Sequence, residues 1–575
     1  MSKLSGGELL ARTLSDAGVT HAFGVHGGHL DALLMSMSAH GITLVDTRHE
    51  APAGHAAQAY ATATGKLGVA FCTSGPGFTN AYTAIANAHL DRTPTLFLTS
   101  SPPQREAELN VLQSGIDQVA AANPVTRWAQ RATTVARVPD LAAQAVRRAF
   151  GGVPGPVVLD VPIDVMFRSI EEDLATRPRT FRAAPPSPSR ASVEETIEAL
   201  QSAVRPVIVL GAGAVRSAGA RPALEAFLAR TSIPVVETSA GMGVLPRSAA
   251  TYLGGLAELA ALQHGGQAPD LLLLLGTRRG ISLGGRGTAL LPAIGRVVHV
   301  DVDPAELGRI GNPDIPVIAD VTEFVLRLTD TLDGERVDFT KWNEAAHAAT
   351  GPADAAWQGI EPVTASGRIH PYAACSAIWD ALAPDDVVVT DGGEASGWAI
   401  EKGRAQNPGD YQGIGMLGGL GIGTGFSIGL SCARPGQRVV AITGDGAIGF
   451  HLQEWDTMVR HSLPVTTVVL NNLGWGMSFH GQDIVFGEGH RVVSDLPDIR
   501  YDRIAEGFGL HAERVERVED IGPALNRARA SGRPSCIDIT TAPDVVHPMM
   551  QALSQELPEG ATRIPYYEPI PAGEL

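Results

Sequence analysis

Cysteine is scarce. Only Cys72, Cys375, Cys432 and Cys536 occur among 575 residues, none in C-x-x-C spacing, which excludes a zinc ribbon and a disulfide framework and fits a reducing compartment. Basic residues are in deficit, 44 Lys and Arg against 61 Asp and Glu, so the net charge of -17 repels polyanions and nucleic acid is not an expected partner. Nowhere does an uncharged apolar run reach the ~18 residues that a membrane helix needs, and no membrane contact is expected. The opening stretch "MSKLSGGELLARTLSDAG" interrupts its apolar periodicity with polar residues. It reads as an amphipathic helix and not as a signal peptide, and the expected location is cytoplasmic.

What is present points to an α/β protein. With 44% hydrophobic and 18% charged residues the chain is globular, and it is too long for one core if a domain takes about 100 to 200 residues. In the first block "GKLGVAFCTSG" and "RTPTLFLTS" are apolar strands set between helical stretches, the pattern of a parallel sheet with crossover helices. Pro178 to Ser192, rich in Pro and Ser, reads as a linker. "RPVIVLGAGAV", "SIPVVETSAG", "PDLLLLLGT" and "GRVVHVDVD" begin the pattern again. After a second Pro- and Gly-bearing segment it recurs in "DDVVVTDGG", "QRVVAITGDGA", "LPVTTVVLNN" and "RPSCIDITT". The expectation is three doubly wound domains with parallel sheets, spanning 1–177, 193–335 and 366–550, followed by an irregular C-terminal arm, 551–575.

Strands of the third block end in polar residues, where ligands of such sheets gather. One apolar strand runs into Gly444-Asp445-Gly446, and the next ends at Asn471-Asn472. The two ends are separated by one strand-helix-strand crossover, which makes them neighbours. An Asp carboxylate beside an Asn carbonyl is an all-oxygen pair suited to Mg²⁺ and phosphate oxygens, and the flanking glycines let backbone amides approach a diphosphate. A bare G-D-G is common in turns; the pair at this spacing is far more specific.

This pairing resembles the thiamine diphosphate motif of the superfamily of acetolactate synthase, pyruvate oxidase and benzaldehyde lyase. In the first block "GGELLARTL", "FGVHGGHLD", "DTRHEAPAGHAA", "GFTNAYTAIANAHLDRTPTLFLT" and "LQSGIDQVA" are most similar in wording to benzaldehyde lyase. The resemblance implies a pyrimidine-binding, a central and a diphosphate-binding domain, in that order. It implies Mg²⁺ on Asp445, Asn472 and the carbonyl of Gly474. Gly392 and Gly393 would grip the diphosphate, and Thr73, Gly444, Gly446 and Ala447 would be further cofactor contacts. Gly418 would offer a carbonyl to the aminopyrimidine, and Leu420 would bend the cofactor.

Glu50 stands at the start of "APAGHAAQAYA", a run of small residues where a carboxylate is poorly hydrated. Taken alone it is a helix-start carboxylate, with Pro52 in the first turn. The resemblance implies that it hydrogen-bonds N1' of the cofactor's aminopyrimidine, a bond that water exclusion strengthens. The small residues beside it are expected to let helix and cofactor approach closely. Because the family builds each site from two subunits, the resemblance implies a homodimer at least, and a homotetramer is expected.

His26 and His29, at a strand-to-helix turn, match histidines of benzaldehyde lyase, the second thought to move protons at the substrate hydroxyl, and Gln113 matches a substrate-facing glutamine. That enzyme is aromatic near Ile163, Ser396 and Gly481 and small near Met477; Glu394 adds a polar wall here. The expected activity is a lyase and carboligase that reversibly cleaves 2-hydroxy ketones into aldehydes. The alternative is an acetolactate synthase-like transferase that decarboxylates and ligates 2-oxo acids. The substrate is thus an aldehyde, an acyloin or a 2-oxo acid. Intact Glu50, Asp445 and Asn472 argue against a non-catalytic relative. "VLGAGAV" lacks the third glycine of a dinucleotide fingerprint, and FAD, which acetolactate synthases bind in the central domain, is not expected although the sequence leaves it open.

Overall fold

The apolar runs named above become buried strands. Gly68–Cys72 and Thr95–Ser101 lie in the first block; Pro206–Leu210, Val235–Glu237, Leu271–Leu275 and Arg296–Asp301 in the second; Val387–Asp391, Val439–Gly444, Val465–Asn471 and Ser535–Thr540 in the third. Helices cover both faces, so these strands are buried along nearly their whole length instead of alternating between buried and exposed. The computed structural model describes residues 3–107, 109–280, 283, 295–332, 337–351, 357–403, 405–551, 557, 559–564, 570 and 571. The expected C-terminal arm therefore lies largely outside the described residues.

Three six-stranded sheets result, parallel in every pairing. Numbered by chain order within each block, the first and third sheets both run 2-1-3-4-6-5, whereas the central sheet runs 3-2-1-4-5-6. In the third sheet the order reverses between Val387–Asp391 and Val439–Gly444, and in the central sheet between Pro206–Leu210 and Leu271–Leu275. Such reversals open a crevice at the carboxyl ends of the strands. A small antiparallel pair, Lys3–Ser5 with Ser169–Glu171, ties the start of the first block to its end. The opening stretch forms the expected helix, Gly6–Asp16, capped by Ser5. The linker is shorter than expected: Ser189 caps the helix Arg190–Ser202 by accepting from the Ser192 N–H.

The first and third blocks meet along two helices, Glu50–Thr64 and Ile422–Ala433. A Cβ added at Gly425 would fall 2.7 Å from the Pro52 carbonyl oxygen, and one at Gly429 only 2.1 Å from the Ala56 carbonyl oxygen. The backbones therefore touch. This corrects the expected reason for the small residues after Glu50, which lie buried against a helix of the third block where larger side chains would force the two apart.

Candidate active site

Glu50 is the first residue of its helix, and His49 caps that helix by accepting from the Ala51 N–H. The helix-start reading thus holds, but the carboxylate is also buried, 8% exposed, and accepts a hydrogen bond from Asn80 Nδ2 at 3.0 Å. Thr73 lies alongside, for a Cβ at Gly77 would meet Thr73 Cγ2 at 3.0 Å and Glu50 Oε1 at 3.4 Å. Thr73 Oγ1 donates to Gln113 Oε1 at 3.4 Å, and Gln113 itself sits at a left-handed φ of 62° with its carbonyl accepting from Ser74 Oγ. The His26–His29 turn closes over Thr73 through Gly27. His26 pairs with Asp31 at 2.8 Å on the surface. His29 differs: its Nδ1 is buried without a partner among the described residues, and burial holds the ring below the ordinary histidine value. The fold thus brings Glu50, Thr73, Gln113 and the histidine turn together.

A cavity of 740 Å³ lies at the switch point of the third sheet. Gly392, Gly393, Gly418, Leu420, Gly444, Gly446, Ala447, Asp445, Asn472 and Gly474 all line it, as do Glu394 and Met477. Asp445 leaves the strand end with Oδ1 accepting from the Gly446 N–H at 2.9 Å and Oδ2 from the Gly474 N–H at 3.0 Å. Burial nevertheless pushes its carboxyl up to about 7. Leu473 takes a left-handed φ of 66°, a strained conformation that turns Gly474 toward Asp445. The Asn472 amide atom on this side stands 3.0 Å from Asp445 Oδ1 and 2.9 Å from the Gly474 carbonyl. With its oxygen there, three oxygens converge with no proton among them, an arrangement that a hard cation reconciles; with the amide turned, its nitrogen donates to both. The residues therefore fit a divalent ion.

Several contacts had no signal in the sequence. Tyr501 donates its hydroxyl to the Asp445 carbonyl at 2.8 Å. Asp391 accepts from the N–H groups of Gly421 and Gly423 at 3.1 and 2.9 Å, holding the glycine loop before the helix Ile422–Ala433, and burial raises it to about 6. Asp91 of the first block accepts from the Met416 N–H in the same loop at 3.1 Å. Only Asp391, ending a strand in "TDGG", could have been suspected.

Other expected residues are placed apart. Ile163 lines a separate cavity of 370 Å³ with Arg105 and Phe167. Ser396 and Gly481 are buried but are not among the residues lining the cavity around Asp445, and the Ser396 hydroxyl has no partner among the described residues. Glu50 does not line that cavity either, although Gln58 and Thr62 of its own helix do. On the central-domain side the cavity reaches Arg216, Thr238, Ser239 and Arg278 at the second switch point.

Glu454 braces the loop that carries Glu50. Fully buried, it accepts the Arg48 N–H on both oxygens at 3.1 Å and the Thr457 hydroxyl at 2.7 Å, and burial raises its carboxyl from 4.5 to about 7. A raised value favours the protonated form in the folded chain. Its stabilisation is complete below the unfolded value and is lost as pH rises through about 7, by up to roughly 3 kcal/mol. Urea unfolding should show stability falling across this window and a smaller fall in Glu454→Gln; identical slopes would refute the assignment.

Comparison with known proteins gives the class. Residues 4–121 match the model for the N-terminal TPP binding domain of thiamine pyrophosphate enzymes, 193–328 that for their central domain and 391–539 that for their C-terminal TPP binding domain. The chain belongs to the thiamine pyrophosphate enzymes. It is similar to a probable acetolactate synthase of Mycobacterium bovis, 31% identical over 95% of this chain and 98% of the relative. It is also similar to the acetolactate synthase large subunit of Corynebacterium glutamicum, 29% identical over 96% and 89%, and to the isozyme 3 large subunit of Escherichia coli, 29% identical over 92% of each. These relatives favour the alternative expectation over the acyloin lyase. Among the described residues no helix is long and apolar enough to cross a membrane.

Proposed function

We propose that this enzyme joins 2-oxo acids in the manner of an acetolactate synthase, using thiamine diphosphate and Mg²⁺ at a site shared between two copies of the chain. The observation that carries the reading is similarity along nearly the whole length to proteins named acetolactate synthase, together with a cavity at the strand ends that holds Asp445, Asn472 and Gly474 on its wall. Bound thiamine diphosphate supplies a carbon nucleophile for the substrate carbonyl. Asp445, Asn472 and the Gly474 carbonyl would hold the metal, and Gly392, Gly393, Gly444, Gly446 and Ala447 would bring backbone amides to the diphosphate. Gly418 and Leu420 would set the cofactor's bend. Glu50, fixed by Asn80, would share a proton with the aminopyrimidine of the partner copy's cofactor; the absence of Glu50 from the wall of its own chain's cavity supports this pairing.

A second reading, cleavage of 2-hydroxy ketones, is favoured by the buried Nδ1 of His29, which has no partner among the described residues and suits proton transfer at a substrate hydroxyl. Incubation with pyruvate and, separately, with an acyloin divides the two. Carbon dioxide and a ligated acid from pyruvate are expected; aldehyde from the acyloin without carbon dioxide from pyruvate would overturn the first reading. A visible absorption spectrum of the purified protein reports any flavin.

A further inference from the structure

Glu394 and His480 form a buried pair at the diphosphate end of the cavity. Glu394 opens the helix Glu394–Glu401 directly after Gly393 and is 4% exposed; His480 lies on the helix Gly476–Phe486 and is 2% exposed. His480 Nδ1 stands 2.7 and 2.9 Å from the two carboxylate oxygens, and Nε2 is 3.0 Å from the Pro543 carbonyl. A carbonyl oxygen only accepts, so Nε2 carries a proton. The short contact between Nδ1 and the carboxylate needs another. Wherever that second proton rests, the pair carries no net charge.

The charge matters because of what surrounds it. Glu394 lines the cavity beside the glycines assigned to the diphosphate, and its Oε2 would lie 2.8 Å from a Cβ on Gly476. Among the described residues no Lys or Arg of the third block lines this cavity; the arginines on its wall, Arg216 and Arg278, belong to the central block. Asp445 adds a second acidic group to the same wall. Even with a divalent ion on Asp445, Asn472 and Gly474, an unmasked carboxylate at this distance would repel an anion seated here.

We propose that His480 is a positioning residue for the cofactor, cancelling the charge of Glu394 so that the glycine-lined end of the cavity accepts a diphosphate. The inference rests on the cofactor reading above. Titration calorimetry of the apo-protein in Mg²⁺, with thiamine diphosphate and with thiamine as probes, tests it. His480→Gln should weaken thiamine diphosphate binding by roughly tenfold to a hundredfold, the effect of one nearby charge at protein-like screening, and thiamine binding far less. Glu394→Gln/His480→Gln should recover most of the loss. Glu394→Gln alone, which needs no compensation, should keep diphosphate affinity within a few-fold, so the inference remains testable even if His480→Gln folds poorly by circular dichroism. Equal losses for both probes, no recovery in the double variant, or a tenfold loss in Glu394→Gln would overturn it. Failure of the unsubstituted protein to bind thiamine diphosphate would overturn the cofactor reading itself, and this inference with it.

Discussion

Replacing Glu50 with Gln should lower turnover by about two to four orders of magnitude while thiamine diphosphate and Mg²⁺ still bind. Gln preserves the size of the side chain and can still accept from Asn80 Nδ2, the contact that fixes Glu50 Oε2 at 3.0 Å. It loses the ability to hold a proton against a ring nitrogen. The helix start is little affected, because its cap comes from His49. Product formation under saturating cofactor, paired with calorimetric affinities, separates the outcomes. Unchanged turnover would remove Glu50 from the chemistry, and a parallel collapse of cofactor affinity would make it a binding group only.

The second large effect is expected at Asp445. Asp445→Ala should cost at least about a hundredfold in Mg²⁺-dependent cofactor affinity, since losing even an outer partner of a metal ligand costs tenfold to a hundredfold. The apo-protein should melt near its original temperature. Burial pushes the carboxyl up to about 7, so above that pH the ionised group costs roughly 4 kcal/mol in the empty site. Its removal relieves that cost while freeing the Gly446 and Gly474 N–H groups, so the two effects oppose each other. Metal and cofactor should raise the melting temperature of the parent strongly and that of the variant hardly at all. A large loss of apo stability would show instead that Asp445 is chiefly structural.

The sheets were legible because buried parallel strands leave continuous apolar runs that end in Gly, Asp or Asn. Short edge strands such as Tyr411–Gln412 and His511–Val515 carry too little apolar signal to be read. Strand order was hidden as well. The match between the first and third sheets, and the different order of the central one, come from packing between elements far apart in the chain. Glu50 stood out as a lone carboxylate heading a run of small residues, and the Asp445–Asn472 pair because charged or amide groups at apolar strand ends need a reason. Asn80, Tyr501, Glu454 and His480 did not, since each becomes meaningful only through a distant partner. Ile163, taken from a resemblance, comes to line another cavity within the chain.

The seam between the helices Glu50–Thr64 and Ile422–Ala433 bears on how such an enzyme can change. Where main chains touch at Gly425 and Gly429, no side-chain volume remains to be traded, so mutation has almost no neutral steps to take there. Drift toward new substrates is thereby channelled to the cavity wall around Met416 and Met477, where side chains meet open space.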